Sequence, residues 1–237
     1  FMVEEYERKL QVATYEVGAD SRLKLSVLLR ICQETSEQHL EQVNLGYERL
    51  KNEGLVFLII SNAASIRRLP RLGESITVKT HPRGTLGVHF YRDFDFYAGG
   101  ERIVHVMQSS VSVDPASHKP LRPKVFLSYQ VFRDEKLPRE ERGEKIAAPA
   151  MPELGRRTIR YSDIDYNNHL NNAVYGDITE DFLPGGMQGR SPSYVQIDYV
   201  SEAFLGEELK ICGQEQDGQA VLQGFHERGL CFSALLR

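Results

Sequence analysis

Apolar positions along this chain recur at two different periods, and the switch from one to the other happens twice. From Leu25 onward the apolar or small positions Leu25, Leu28, Leu29, Cys32, Ser36, His39 and Val43 return every three or four residues, the spacing of one buried stripe on a long helix. The piece that precedes it, residues 10–17 (LQVATYEV), reads as a short strand. Gly46 and Gly54 bracket a short connecting helix, after which a β-branched run over 55–60 continues as a strand toward Arg68. Residues 74–80, 87–97 and 102–113 alternate at period two, with Pro82-Arg83-Gly84 and Ala98-Gly99-Gly100 as the turns between them. The predicted order is strand, long helix, four antiparallel strands.

Residues 114–155 break the pattern: six prolines (Pro115, Pro120, Pro123, Pro138, Pro149, Pro152) accompany the charged stretch 133–145, which reads as a connection. Within it an aromatic piece, 125–132, is apolar enough to pack on the body as a short helix or strand. The pattern then restarts. Residues 157–163 read as a strand, and Leu170, Val174, Ile178 and Phe182 define a helical stripe that stops at Pro184-Gly185-Gly186. Strands over 193–202, 207–213, 219–226 and 229–236 follow. Leu72-Gly73-Glu74-Ser75-Ile76 matches Leu205-Gly206-Glu207-Glu208-Leu209, each entering a strand at the same point in its half, which favours a duplicated unit.

A helix on an antiparallel sheet leaves sheet edges open, and two copies joined edge to edge remove part of that exposure. The expected fold is therefore α+β, a double hotdog in which each unit wraps an antiparallel sheet around a long helix. The expected boundaries are 1–125 for a first hotdog that binds but carries no chemistry, 126–155 for the linker, and 156–237 for the second, catalytic hotdog.

Composition narrows the class. The 237 residues are 41% hydrophobic and 26% charged, an ordinary globular balance. A net charge of −4 argues against a chain that wraps nucleic acid. Three widely spaced cysteines, Cys32, Cys212 and Cys231, write neither a disulfide framework nor a metal site, and are expected to be buried small hydrophobes in a reducing compartment. No apolar run is long enough to span a bilayer, and the opening FMVEEYE has no basic or apolar region of an export signal, so a cytoplasmic, bacterial location is expected.

The densest polar cluster is Asp163-Ile164-Asp165-Tyr166-Asn167-Asn168-His169-Leu170-Asn171-Asn172, between a strand and a helix. If the segment is extended, Asp165, Asn167 and His169 share one face, with Asn171 and Asn172 at the helix start. A carboxylate, an amide and an imidazole would then sit beside the free N–H groups of a helix N-terminus, which stabilise charge developing on a carbonyl oxygen. As a purely structural feature, the same residues would cap the helix and shape a turn.

The stretch RYSDIDYNNHLNNAVYGDITED resembles the motif R-x-x-D-x-D-x-N-x-H-x-N-N-x-x-Y of the acyl-acyl carrier protein thioesterases of plants and bacteria. YEVGADSRLKLSVLLRICQETSEQH resembles the strand and central helix of that family's first unit, and RRLPRLGESITVKTHP the turn after its second strand, so the resemblance covers about residues 10–237. It implies catalytic roles for Asp165, Asn167 and His169. In Ile197-Asp198-Tyr199-Val200-Ser201-Glu202-Ala203 it implies a fourth, for Glu202, while Ala203 stands where many plant members have cysteine. A thiol nucleophile is therefore not expected. The implied reaction is hydrolysis of a fatty acyl thioester by a water whose proton goes to Glu202 or Asp165, with His169 positioning the water or serving the leaving thiolate.

No cofactor and no metal are expected, since HExxH, P-loop and dinucleotide fingerprints are missing and the other histidines are scattered. Acyl carrier protein is the expected partner, met by Arg67-Arg68-Leu69-Pro70-Arg71 or by Lys119-Pro120-Leu121-Arg122-Pro123-Lys124. A homodimer through remaining sheet edges is an option. The alternatives are an acyl-CoA thioesterase and a non-catalytic acyl-binding hotdog. A hotdog hydratase fits less well, because its D-x-N-P-x-H motif spaces Asp and His by five, against four here.

Overall fold

The computed structural model describes residues 5–133 and 136–237; residues 1–4 of the opening segment and 134–135 of the charged connection lie outside them. The first half of the chain supplies β1 (Tyr6–Gln11), β2 (Val56–Ile66), β3 (Ser75–Leu86), β4 (His89–Ala98) and β5 (Glu101–Val113). The second supplies β6 (Glu153–Thr158), β7 (Tyr194–Tyr199), β8 (Glu208–Gln216), β9 (Gln219–His226) and β10 (Gly229–Leu236). All ten form one sheet in the order β1-β3-β4-β5-β2-β7-β10-β9-β8-β6. Counted inward from each outer edge, both halves run first, third, fourth, fifth, second. They join where β2 pairs antiparallel with β7, from Ser61 opposite Asp198 to Ser65 opposite Tyr194. This is the α+β double hotdog that the two-period pattern predicts.

Helix α1 (Leu25–Gln42) buries Leu25, Leu28, Cys32, Thr35, His39 and Leu40 against the first half-sheet. It ends where Asn44 adopts φ 57° and Leu45 N–H returns to Leu40 C=O at 2.7 Å, a left-handed helix stop. The short helices α2 (Tyr47–Asn52) and α3 (Lys124–Leu127) follow, and α4 (Val174–Phe182) is the shorter central helix of the second half. α1 and α4 cross closely. A Cβ at Gly176 would lie 2.6 Å from the backbone nitrogen of Ser26, so only glycine fits there. Beside it, Leu25 N–H at the start of α1 donates to Glu180 Oε1 of α4 at 2.8 Å. One large apolar cluster runs from α1 and the first half-sheet through α4 into the second. A separate one gathers Leu40, Leu45, Leu50, Leu55, Phe90, Phe126 and Phe132, so the aromatic piece of the connection does pack on the body, as α3.

Two strands lie earlier than the pattern suggests. Residues 10–17 and 157–163 were expected to be strands, but β1 ends at Gln11 and β6 at Thr158, and each is followed by a 3-10 turn, Thr14–Glu16 and Tyr161–Asp163. The reason is an acidic side chain that folds back on its own backbone. Glu16 Oε2 accepts Ala13 N–H at 2.8 Å, and Asp163 Oδ2 accepts Arg160 N–H at 2.8 Å. A side-chain acceptor three residues on favours a turn over the ladder. The expected turn at Pro82-Arg83-Gly84 is instead a register shift inside the β3–β4 pair, and the hairpin turns at Gly87, with φ 60°. Gly99 and Gly100, with φ 57° and 80°, do form the next hairpin turn.

The duplication extends to individual hydrogen bonds. Gly18 N–H donates to Arg22 C=O at 2.9 Å in the first half, and Asp165 N–H to His169 C=O at 3.1 Å in the second. Leu23 N–H bonds Pro70 C=O at 2.8 Å, and Leu170 N–H bonds Ala203 C=O at the same distance. Gly73 N–H reaches Val12 C=O and Gly206 N–H reaches Ile159 C=O, both at 2.9 Å, which is what the matching Leu-Gly-Glu pieces do. Ser21 and Asn168, the corresponding loop tips, adopt φ 59° and 64°. The same loop thus occurs twice, with Gly18, Asp20 and Arg22 in the first copy where the second has Asp165, Asn167 and His169.

Candidate active site

The loop that carries the polar motif is pinned at both ends. Asp163, 8% exposed, accepts two hydrogen bonds from the Arg157 guanidinium, at 2.8 and 3.0 Å. Burial pushes the Asp163 carboxyl up, but the Arg157 and Arg160 contacts outweigh it and hold it below the ordinary carboxylate range. At the other end Leu170, 1% exposed, is bonded to Ala203. Between the pins the chain is a tight turn, closed by Asp165 N–H to His169 C=O and by Asn168 N–H to Asp165 C=O at 2.9 Å. The expected extended arrangement, with Asp165, Asn167 and His169 on one face by period two, is therefore incorrect.

The turn nonetheless brings these side chains to one place. Asp165, Asn167, His169 and Glu202 all line a single cavity of about 650 Å³. Its other walls come from α1, from Leu55 and the start of β2, and from β4 and β5, so the second half contributes the motif and the first half most of the lining. Glu202 follows β7, and its Oε1 lies 3.6 Å from His169 Nε2. Among the described residues the Glu202 carboxylate accepts no hydrogen bond, whereas Asp165 Oδ1 is engaged by Asn167 N–H at 2.9 Å. The Asn167 side chain is fixed by the other half of the molecule: Tyr47 O–H, at the start of α2, donates to its Oδ1 at 2.8 Å. That leaves the Asn167 amide nitrogen as the donor end, within reach of the Tyr166 hydroxyl and of a ligand.

At the start of α4, Asn171 Oδ1 accepts Ala173 N–H at 2.8 Å, and Asn171 N–H goes to Asp163 C=O. Asn172 N–H has no partner among the described residues, and Asn172 lines the cavity. Two residues at the site carry no sequence signal. One is Tyr47. The other is His118, counted among the scattered histidines, which sits at φ 55° on the loop after β5 with Nδ1 3.9 Å from Glu202 Oε1. Glu202 is thereby flanked by an imidazole from each half.

The cysteines take no part. All three are buried, and burial pushes the Cys231 thiol up to about 11, where Tyr175 O–H lies 3.2 Å from its sulfur. His81, Asp93 and Asp95, outside the cavity, could hold a metal by proximity alone. Their carboxylates are already met, Asp93 by Arg83 at 2.8 Å and His81 at 3.1 Å, and Asp95 by His105 at 2.7 Å. Of the two basic clusters, the first is largely neutralised: Arg68 forms a two-pronged pair with Glu74 at 2.6 and 2.9 Å, and Arg67 pairs with Glu101. In the second, Lys119, Arg122 and Lys124 are exposed, have no ion pair among the described residues, and follow directly on His118 at the cavity wall.

Residues 3–124 match the model of the acyl-ACP thioesterase N-terminal domain, and residues 147–230 that of the C-terminal domain. The chain belongs to the acyl-ACP thioesterase family. It is 23% identical over 89% of its length to a chloroplast acyl-[acyl-carrier-protein] hydrolase of Cuphea viscosissima, of which it covers 53%. It is 22% identical over 98% of its length to a chloroplast dodecanoyl-[acyl-carrier-protein] hydrolase of Cinnamomum camphora, of which it covers 63%. The chain thus spans roughly half to three fifths of the length of these relatives.

Two solved structures share the fold. An acyl-ACP thioesterase from Bacteroides thetaiotaomicron superposes with a TM-score of 0.87 at 19% identity, covering 98% of this chain and 97% of its own. The 12:0-ACP thioesterase from Umbellularia californica gives 0.87 at 16% identity, covering 100% and 98%. This family member has its polar motif in the second hotdog alone, the first copy of the loop holding Arg22 at the position of His169. No helix of the described residues is long and apolar enough to cross a membrane.

Proposed function

We propose that the protein hydrolyses the thioester of fatty acyl-acyl carrier protein and releases free fatty acid, as in fatty acid biosynthesis. The observation that carries this reading is the convergence of His169, Glu202, Asn167 and the unpartnered Asn172 N–H on one wall of a cavity whose remaining walls are supplied by the other hotdog. Asp165 closes the turn through its own carboxylate, so its role is to shape the loop, and Glu202 is the better-placed base.

In the proposed step, Glu202 takes a proton from a water held near its carboxylate and His169, and the water oxygen bonds to the thioester carbonyl carbon. The charge that develops on the carbonyl oxygen is met by Asn172 N–H and the Asn167 amide, donors fixed before the reaction begins. The C–S bond then breaks, the electron pair leaves with sulfur, and the thiolate receives a proton through His169. No covalent acyl-enzyme is involved, in keeping with the buried alanine at 203. The acyl chain extends into the first hotdog, between α1 and the sheet. Lys119, Arg122 and Lys124 beside the opening would receive the acidic carrier protein.

The test is release of thiol from purified acyl-carrier and acyl-CoA thioesters over a range of chain lengths. Turnover of the carrier-bound series at higher kcat/KM is the expected result. A preference for CoA would redirect the partner, and no release from any thioester would favour a binding role.

A further inference from the structure

Taking the cavity as the acyl site of a thioester hydrolase, as above, we propose that its acyl group carries an oxygen substituent, hydroxyl or oxo, and that Arg92 with Gln108 forms the subsite that holds that oxygen. The inward row of β4 is Phe90, Arg92, Phe94 and Phe96. Where the period demands an apolar side chain there is a guanidinium, 4% exposed, on the cavity wall. Burying a cation is costly, and the two carboxylates whose charge reaches it, Asp93 and Glu37, make no ion pair with it.

The contacts of Arg92 do not account for it. Its Nη1 donates to His39 Nδ1 at 2.9 Å and to Thr80 Oγ1 at 3.1 Å, and its guanidinium carbon lies 5.5 Å from the centre of the Phe132 ring. Among the described residues no carboxylate comes within ion-pair distance, and Nε and Nη2 donate to nothing. The adjacent Asp93 points to the opposite face of the sheet and is taken by Arg83 and His81. Burial lowers the guanidinium pKa to about 10, so it remains charged at neutral pH.

Arg92 also begins a polar row across the cavity floor. Gln108 stands opposite it in the β4–β5 pair, and Asn62 opposite Gln108 in the β2–β5 pair. Gln108 Nε2 donates to Asn62 Oδ1 at 3.0 Å, Asn62 Nδ2 to Tyr199 Oη at 3.2 Å, and Tyr199 O–H to Asn172 C=O at 3.1 Å. Glu37 of α1 faces the same space. A plain alkyl chain laid over this row would strip water from donors and give nothing back. A hydroxyl or carbonyl oxygen accepts from Arg92, and a hydroxyl can also donate to Glu37.

The experiment uses carrier-bound thioesters of one chain length, saturated, 3-hydroxy, 3-oxo and terminal-hydroxy, with the wild type, Arg92→Met and Gln108→Leu. The expected result is that one oxygenated substrate exceeds the saturated one in kcat/KM by about tenfold or more in the wild type. Arg92→Met should erase that preference, so that the oxygenated and saturated chains are used alike, whatever the change in overall rate or melting temperature. Equal use of all four substrates, with both variants slowing them alike, would overturn the proposal. If no thioester turns over, the hydrolase reading fails on its own, and calorimetry with the free hydroxy and saturated acids still decides: tighter binding of a hydroxy acid that Arg92→Met abolishes supports the subsite, and equal binding refutes it.

Discussion

His169 and Glu202 stand side by side because their chain neighbours are hydrogen-bonded: Leu170 N–H donates to Ala203 C=O at 2.8 Å, and this places the imidazole Nε2 3.6 Å from Glu202 Oε1. The gap is wider than a direct hydrogen bond and suits a bridging water. Glu202→Gln keeps the shape and removes the proposed base; His169→Ala removes the proposed proton path to the thiolate. Each should lower kcat by about 10²–10⁴-fold, the range for loss of a positioned general acid or base. Asp165→Ala should also reduce turnover, through the turn it closes. Both the Glu202 and His169 variants should keep the wild-type melting temperature, since their side chains are only partly buried. Steady-state thiol release with thermal melts of the same samples checks this, and wild-type rates in both would remove them from the mechanism.

The Arg157–Asp163 pair makes a pH-dependent contribution to stability. The Asp163 carboxyl is held below its ordinary value in the folded chain, so the contribution is fully present above the unfolded carboxylate pKa of about 3.9. It is lost as the pH falls through the lower, folded value. Arg157→Met should therefore destabilise the protein by roughly 2–3 kcal/mol at neutral pH, as expected for charge-assisted hydrogen bonds to a largely buried carboxylate. The difference from wild type should shrink as the pH approaches the acid end. Denaturant melts from pH 7 down to 2 read it, and a difference that stays constant through the window below about pH 4 would contradict the assignment.

The two-period pattern made the sheet and its long helix legible because packing there is collective: a stripe on α1 and alternation over β3, β4 and β5 have no other way to be buried. The early ends of β1 and β6 were not legible, because single acidic side chains, Glu16 and Asp163, decide them by capping. The motif loop was legible as a polar cluster and misread as geometry: alternation of Asp165, Asn167 and His169 is a strand signal, while the Asp165 turn and the left-handed Asn168 override it. Tyr47 and His118 were invisible, since each reaches the site from the other half and no spacing in the sequence records so distant a contact, from Tyr47 to Asn167 or from His118 to Glu202. Arg92 passed unremarked within the alternating strand over 87–97, and only the cavity singles it out.

The crossing of α1 and α4 rests on Gly176. A β-carbon there would meet the Ser26 nitrogen at 2.6 Å and the Leu25 carbonyl carbon at 2.9 Å, both rigid backbone atoms at the start of a buried helix. Relief requires the helices to part, which also stretches the bond from Leu25 N–H to Glu180. Gly176→Ala should cost about 1–3 kcal/mol, the usual penalty for overpacking, despite the better helix propensity of alanine. Because α4 leads directly from the motif loop, kcat should fall with stability. An alanine variant that melts at or above the wild type would show that the helices separate without cost.

Lys119, Arg122 and Lys124 differ from Arg67, Arg68 and Arg71 in what already occupies their charge. Arg67 and Arg68 are tied to Glu101 and Glu74, and none of that cluster lines the cavity. Lys119, Arg122 and Lys124 have no such partners among the described residues and follow His118, which lines the cavity, so under the proposed function their field is free to steer an acidic carrier protein. Lys119→Glu with Arg122→Glu should lower kcat/KM for acyl-acyl carrier protein by on the order of tenfold at low ionic strength, with the deficit shrinking as salt is added. Turnover of an uncharged acyl-N-acetylcysteamine thioester should not change, because chemistry and acyl binding lie elsewhere. Arg67→Glu with Arg71→Glu is the control, expected to leave both substrates unaffected. If the second pair slows the carrier-bound substrate and the first does not, docking lies beside the copy of the loop that holds Arg22, whose backbone bridges to Arg71.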